Sequence, residues 1–138
     1  MASFNKYQKG VEALLKGVNA GTDAWKVALT NRAPVVATDA TLTDATEIAA
    51  GNGYTAGGNA AATTSSAQTA GVFKLILATP ATWTAVTGSM GPFRYAVLYD
   101  STTNNLIGYW DYGSAVTLGV GESFTVSLDG TNGVFSVS

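Results

Sequence analysis

From Gly71 to the last residue the chain is a train of short apolar runs separated by turn-forming residues, and this pattern constrains the fold more than any other feature. The runs are Gly71 to Ala78, Thr82 to Ala85, Phe93 to Tyr99, Leu106 to Tyr112, Ala115 to Leu118, Ser123 to Leu128 and Val134 to Val137. Upstream, Trp25 to Thr30 (WKVALT) alternates large and polar residues as a half-buried strand does. The separators Asp100 to Asn105, Gly119 to Glu122 and Asp129 to Gly133 carry Gly and Asn for positive φ, the chemistry of hairpin turns. Short strands at a spacing of roughly 8 to 12 residues predict a mainly β, antiparallel, jelly-roll-like sandwich of about seven or eight strands rather than a parallel α/β sheet.

Two segments depart from the pattern. Phe4, Tyr7, Val11, Leu14, Leu15 and Val18 fall at the three-four spacing of one helix face, with Ser3 as N-cap and Gly17 with Gly21 as the stop. One N-terminal amphipathic helix is therefore expected, and Lys6, Lys9 and Lys16 beside Glu12 read as its solvated face. Between Val35 and Ser66, Leu42, Ile48 and Tyr54 are almost the only large apolar residues, too few for the segment to bury itself. A connection of that length is usually functional or mobile. Within it, Asp44 followed by Glu47 predicts a capping box for one helical turn reaching Ala50. The 138 residues read as a single domain, in which residues 1–21 form a helix and arm and residues 22–138 a β domain with a long loop at 35–66.

That loop contains Gly51-Asn52-Gly53-Tyr54-Thr55-Ala56, a match to the dinucleotide pattern G-x-G-x-x-G/A. The motif works when a buried strand precedes it, a helix follows to hold the pyrophosphate, and an acid about 20 residues on binds the ribose. Here DATEIAA precedes it, GGNAAATTSS follows, and no Asp or Glu occurs between Glu47 and Asp100. No cofactor is expected. The glycines instead fix a sharp backbone path while Tyr54 fills an apolar spot.

The sequence has no His and no Cys, which removes the Ser-His triad, the Cys nucleophile and the usual zinc sites. Carboxylate chemistry of the glycosidase kind remains. Asp111 lies among aromatics in Tyr109 to Gly113 (YWDYG), with Tyr99 and Trp83 as conceivable companions, as in a carbohydrate site. Tyr109, Trp110 and Tyr112 alternate across a strand, however, so packing is their expected role. Asp100 with Asn104, and Asp129 with Asn132, offer too few oxygens for calcium. Catalytic residues, cofactor ligands and metal ligands are accordingly expected to be none, and the chain reads as a non-enzyme.

Only 12% of residues are charged, against about 25% in ordinary soluble proteins, and the net charge is −2 with no Lys/Arg run. Nucleic acid is therefore not an expected partner. The start MASFNKYQKG lacks a signal-peptide core and no apolar run approaches the roughly 18 residues of a membrane span, so no membrane partner is expected and synthesis in the cytoplasm is. An exterior of Thr, Ser, Asn, Gly and Ala suits a surface partly covered by other subunits.

EIAAGNGYTAGGNA, WTAVTGSMGPFRYAVLYDSTTNNLIGYWDYGS and GESFTVSLDGTNGVFSVS together resemble the head decoration, or capsid-cementing, proteins of tailed bacteriophages. The resemblance spans about Trp25 to the C-terminus. It implies a jelly-roll-like domain without catalytic activity that self-associates, most simply as a homodimer. It also implies binding to the capsid exterior of the virion, after synthesis in the host cytoplasm, where the protein cements neighbouring major capsid protein subunits. On that reading loop 35–66 reaches across to a neighbour, with Ile48, Asn52, Tyr54, Thr55 and Asn59 as contact residues. Similar modules in tail fibres leave a second reading, a tail-associated receptor- or carbohydrate-binding module in which Trp110 or Tyr112 is exposed.

Overall fold

The computed structural model describes residues 2–138, and the chain is mainly β with antiparallel pairing throughout. Its strands are β1 (Phe4–Lys6), β2 (Trp25–Thr30), β3 (Asn59–Ala60), β4 (Thr63–Thr69), β5 (Val72–Leu77), β6 (Trp83–Thr84), β7 (Met90–Asp100), β8 (Asn105–Leu118), β9 (Ser123–Phe124) and β10 (Phe135–Val137). Two helices, α1 (Gln8–Lys16) and α2 (Leu42–Ala45), complete the set. The strands form a five-stranded sheet β1-β8-β7-β2-β3, a three-stranded sheet β10-β5-β4 and the ribbon β6-β9.

Strand β7 is central, and Tyr95 to Asp100 are all buried. Because side chains alternate across a strand, Ala96 and Leu98 enter one core with Trp25, Val27 and Leu29 of β2 and Leu75 and Leu77 of β5. Val97 and Tyr99 enter a smaller cluster on the other face, with Tyr7, Ala28, Ala45 and Leu106. The main sheet is thus covered twice, by the three-stranded sheet on one side and by Tyr7 and α2 on the other.

The expected N-terminal helix is shorter than its apolar spacing. Phe4 to Lys6 are extended and pair with β8, Phe4 opposite Trp110 with their ring centroids 4.9 Å apart. Tyr7, not Ser3, is the N-cap, and Gly17 ends the helix with its N–H on the Ala13 carbonyl at 2.8 Å. Helix α1 lies on β8 through Gly10, where a Cβ would stand 2.7 Å from the Leu106 carbonyl oxygen and 2.9 Å from that of Ile107. With Gly10 and Leu14 turned inward, Leu15 lands on the far side and is 85% exposed.

Segment 35–66 is not the free arm expected of it. Asp39 is buried and takes both guanidinium nitrogens of Arg32 (2.7 and 3.1 Å) and the Val35 N–H (2.8 Å). The capping box falls three residues earlier than predicted: Asp44 is the N3 residue and accepts from the N–H groups of Ala40 (2.9 Å) and Thr41 (3.0 Å). Thr46, left-handed at φ 54, then stops α2 before Ala50. Ile48 N–H on the Leu29 carbonyl and Ala61 N–H on the Trp25 carbonyl, both at 2.9 Å, stitch the segment along β2. Polar bonds do here what large apolar side chains do elsewhere.

Other boundaries also move. Leu106 to Tyr112 and Ala115 to Leu118 are one long strand, β8, while only Ser123 and Phe124 of the run to Leu128 are strand. Strand β4, TTSSAQT, carries no apolar alternation and lies at a sheet edge.

At the far end of the sheet Asp100 is fully buried. Its Oδ1 accepts the Thr102 N–H at 2.8 Å, while Oδ2 has no donor. Burial raises the Asp100 carboxyl above the ordinary range, reinforced by a hydrogen bond with Asp23. The same bond, with the Asn19 N–H second, lowers Asp23.

Two outcomes follow from this packing. Gly10→Ala should cost about 1–3 kcal/mol by overpacking α1 against β8, read from urea unfolding. Asp100 holds its proton to higher pH when folded, so its contribution is full below the ordinary carboxylate range and fades as pH rises through its folded value. Asp23 works oppositely, losing its contribution as pH falls through its lowered value. Unfolding free energy of the wild type should therefore decline as pH rises above the ordinary carboxylate range. In Asp100→Asn, which has no carboxyl proton to lose, that decline should vanish.

Candidate functional site

The Gly-rich stretch makes a tight turn. Gly51 and Tyr54 exchange backbone hydrogen bonds at 2.8 and 3.0 Å around Asn52 (φ 55) and Gly53 (φ 101), the Asn-Gly type I′ arrangement. Gly53 is required twice over, since a Cβ there would also collide with the Thr84 carbonyl oxygen. The chain then runs into β3 rather than into a helix, so the turn presents no helix N-terminus to a phosphate.

Behind this turn stands Tyr54, 3% exposed. Its hydroxyl accepts the Leu29 N–H at 3.1 Å and donates to Glu47 Oε2 at 2.6 Å. Glu47 also accepts the Gly57 N–H at 2.8 Å, and the Gly57 carbonyl takes the Tyr99 hydroxyl at 2.7 Å. Burial first, then the bond to Glu47, pushes the Tyr54 hydroxyl far above the usual phenol range. Tyr99 is pushed up to about 12 by burial, with Glu47 second. Both phenols stay protonated, Tyr54 holding the loop on β2 and Tyr99 holding it on β7.

The five expected contact residues therefore divide. Tyr54 is an internal pillar and presents no contact surface. Ile48 is half-buried against the main core, and Asn59 pairs with Val27 and donates its Nδ2 to the Ala81 carbonyl at 2.7 Å. Asn52 and Thr55 are exposed.

Asn52 stands in a cluster that sequence reasoning did not assemble. Its Nδ2 donates to the Ser89 carbonyl (2.9 Å), its Oδ1 accepts the Thr87 hydroxyl (3.2 Å), and its carbonyl accepts the Val86 N–H (3.0 Å). Ala85 in turn exchanges backbone bonds with Gly121 and Glu122 at 2.8 and 3.0 Å. Segments 51–55, 85–89 and 119–122 thus meet at one end of the molecule. Val86 (49% exposed) and Val120 (66%) stand out there, and Glu122, whose carboxylate accepts the Gly119 N–H at 2.6 Å, is the one charged residue of the three segments. The signal for this end was a valine inside each turn-like stretch, AVTGS and GVGE, where turn chemistry gives an apolar side chain no role.

YWDYG offers no carbohydrate platform through Trp110, which is 4% exposed and packed on Phe4. Tyr109 packs from the opposite face against Tyr7 and Tyr95, and Tyr112 is half-buried against Phe124. Asp111 accepts two bonds from the Arg94 guanidinium (2.7 and 2.9 Å), which holds its carboxyl below the usual range, followed by the Gly113 N–H. Among the described residues no three His, Cys, Asp or Glu side chains gather as metal ligands, and no helix is long and apolar enough to cross a membrane.

Compared with known proteins, the chain matches no family model, no curated protein and no solved structure.

Tyr54→Phe should cost about 1–3 kcal/mol in urea unfolding, because the Leu29 N–H and Glu47 lose a buried partner. Tyr54→Ala should cost more, roughly 3–5 kcal/mol, by also opening a cavity. A binding defect in Tyr54→Ala would then report a collapsed loop, not a lost contact.

Proposed function

We propose that this chain is a non-enzymatic structural protein of a tailed-bacteriophage virion, binding the outside of the capsid and cementing neighbouring major capsid protein subunits. The observation that carries the proposal is the rigid, nearly charge-free end built from segments 51–55, 85–89 and 119–122, with Asn52, Thr87, Val86 and Val120 outermost. Backbone bonds join Gly51 with Tyr54, Asn52 with Val86, and Ala85 with Gly121 and Glu122, so it meets a partner largely preformed and loses little conformational entropy on docking. Exposed valines with Asn and Thr around them match the mixed apolar and wet character of a non-obligate protein interface. Moderate contacts suffice, since a shell repeats each one many times and an oligomer engages several subunits at once. Binding that favours the assembled shell stabilises it by mass action.

In this reading the two larger sheets are the layers of a jelly-roll-like sandwich with α1 as its N-terminal helix, and the protein acts as a homodimer on the virion surface after synthesis in the host cytoplasm. The resemblance carried by GNGYTAGG, FRYAVLYD and SFTVSLD points the same way.

Val86→Asp with Val120→Asp should lower affinity for decoration-stripped heads by at least about tenfold in co-sedimentation, with the thermal midpoint unchanged. Wild-type binding to tails alone, or affinity for heads unmoved by the two substitutions, would defeat the assignment.

A further inference from the structure

The three-stranded sheet ends on one side at β4, whose outer edge pairs with no other strand of the chain. Folded proteins blunt such edges with brevity, charge, proline or a bulge. The other edge strands β1, β3 and β10 are two or three residues long, but β4 has seven, with neither a charge nor a proline. Its one irregularity lies between Thr63 and Ser65, which leaves Ser65 to Thr69 straight.

The register of the β4–β5 hairpin says which backbone groups are free. Ala70 (φ 52) and Gly71 (φ 80) form a two-residue turn of the type I′ kind. Thr69 and Val72 are then a hydrogen-bonded pair, and by alternation so are Ala67 with Lys74 and Ser65 with Ile76. Ser66 and Gln68 consequently aim both their N–H and C=O groups away from β5. The Ser66 hydroxyl donates to the Ala20 carbonyl at 2.8 Å, which anchors the strand.

We propose that this edge is closed by β4 of a second copy of the chain, running antiparallel about a two-fold axis at Ala67, to give a continuous six-stranded sheet β10-β5-β4-β4-β5-β10. In that register Ser66 of each copy exchanges two backbone bonds with Gln68 of the other. Ala67 opposes its own twin, a non-hydrogen-bonded position where side chains come closest and a methyl group fits. Self-pairing brings every charge near its own copy, and β4 has none to repel. Lys74, the one charged residue of the three strands β10, β5 and β4, sits one strand back from the edge. Three strand spacings, about 14 Å, then separate it from its twin, well beyond the ~8 Å over which salt screens exposed charges.

The inference stands on the sheet edge and does not require the capsid reading. The register makes it testable, because Ser65 of each copy falls opposite Thr69 of the other on the open face. In sedimentation velocity without phage particles, the wild type should show a concentration-dependent monomer–dimer equilibrium. Ser65→Lys with Thr69→Lys should weaken it by roughly tenfold by opposing like charges. Ser65→Lys with Thr69→Glu carries the same surface burden but pairs opposite charges across the axis, and should restore dimerisation to wild-type strength or better. Thermal midpoints of both variants should match the wild type. A strictly monomeric wild type, a dimer indifferent to the double lysine, or equal weakening by both variants would overturn the proposal. Head binding measured separately is free to succeed or fail in any of these cases.

Discussion

A central strand buried on both faces imposes the rest of the architecture. Tyr95 to Asp100 of β7 have no solvent-facing side, so the chain must cover the five-stranded sheet twice. One cover is simple, a second sheet supplying Leu75 and Leu77. The other is assembled from what remains, Tyr7 before α1 and Leu42 and Ala45 of α2, none of which presents a continuous apolar face. Small and isolated apolar groups bury modest area, so this cover is secured by directed bonds. Arg32 with Asp39, Asp44 at the start of α2, and Glu47 between Tyr54 and Gly57 are its fastenings. Each acid of this segment accepts a backbone N–H.

This division explains what was legible in the sequence. Strands β2, β5 and β7 were visible because burial imprints a pattern on composition. So were the Asp100 and Asn-Gly turns, where local hydrogen bonding and positive φ leave few alternatives. Strand β4 was invisible because an edge strand with little buried surface carries no apolar alternation. Segment 35–66 was misread for the opposite reason. Its scarcity of large side chains was taken as inability to pack, whereas its packing runs through Asp39, Glu47 and Tyr54. Spacing alone also could not separate Phe4 and Tyr7 from α1, since pairing with β8 outcompetes a helix that close packing at Gly10 already starts late.

The candidate site was half legible. GNGYTAGG drew attention through its glycines, and Asn52 in it does reach the surface, but Tyr54 beside it does structural work that a list of polar loop residues hides. Val86 and Val120 belong to other turns, and only the fold brings them to Asn52. Contacts of that kind arise from β6 pairing with β9 across about 40 residues of chain, a separation that local patterns do not record.

Low surface charge ties these features together. With nine acids and seven bases in 138 residues, and several acids committed to backbone N–H groups, long-range repulsion between copies is weak. Ordinary soluble proteins rely on such repulsion to stay apart. A chain that dispenses with it, leaves a seven-residue edge unguarded and exposes valines at a rigid end has a surface suited to being covered. The edge and the loop end belong to different elements, so a second copy on β4, as proposed, would leave segments 51–55, 85–89 and 119–122 open. Two such ends on one dimer would raise the effective concentration of the second contact once the first is made, which turns individually moderate interfaces into durable attachment to any surface that repeats.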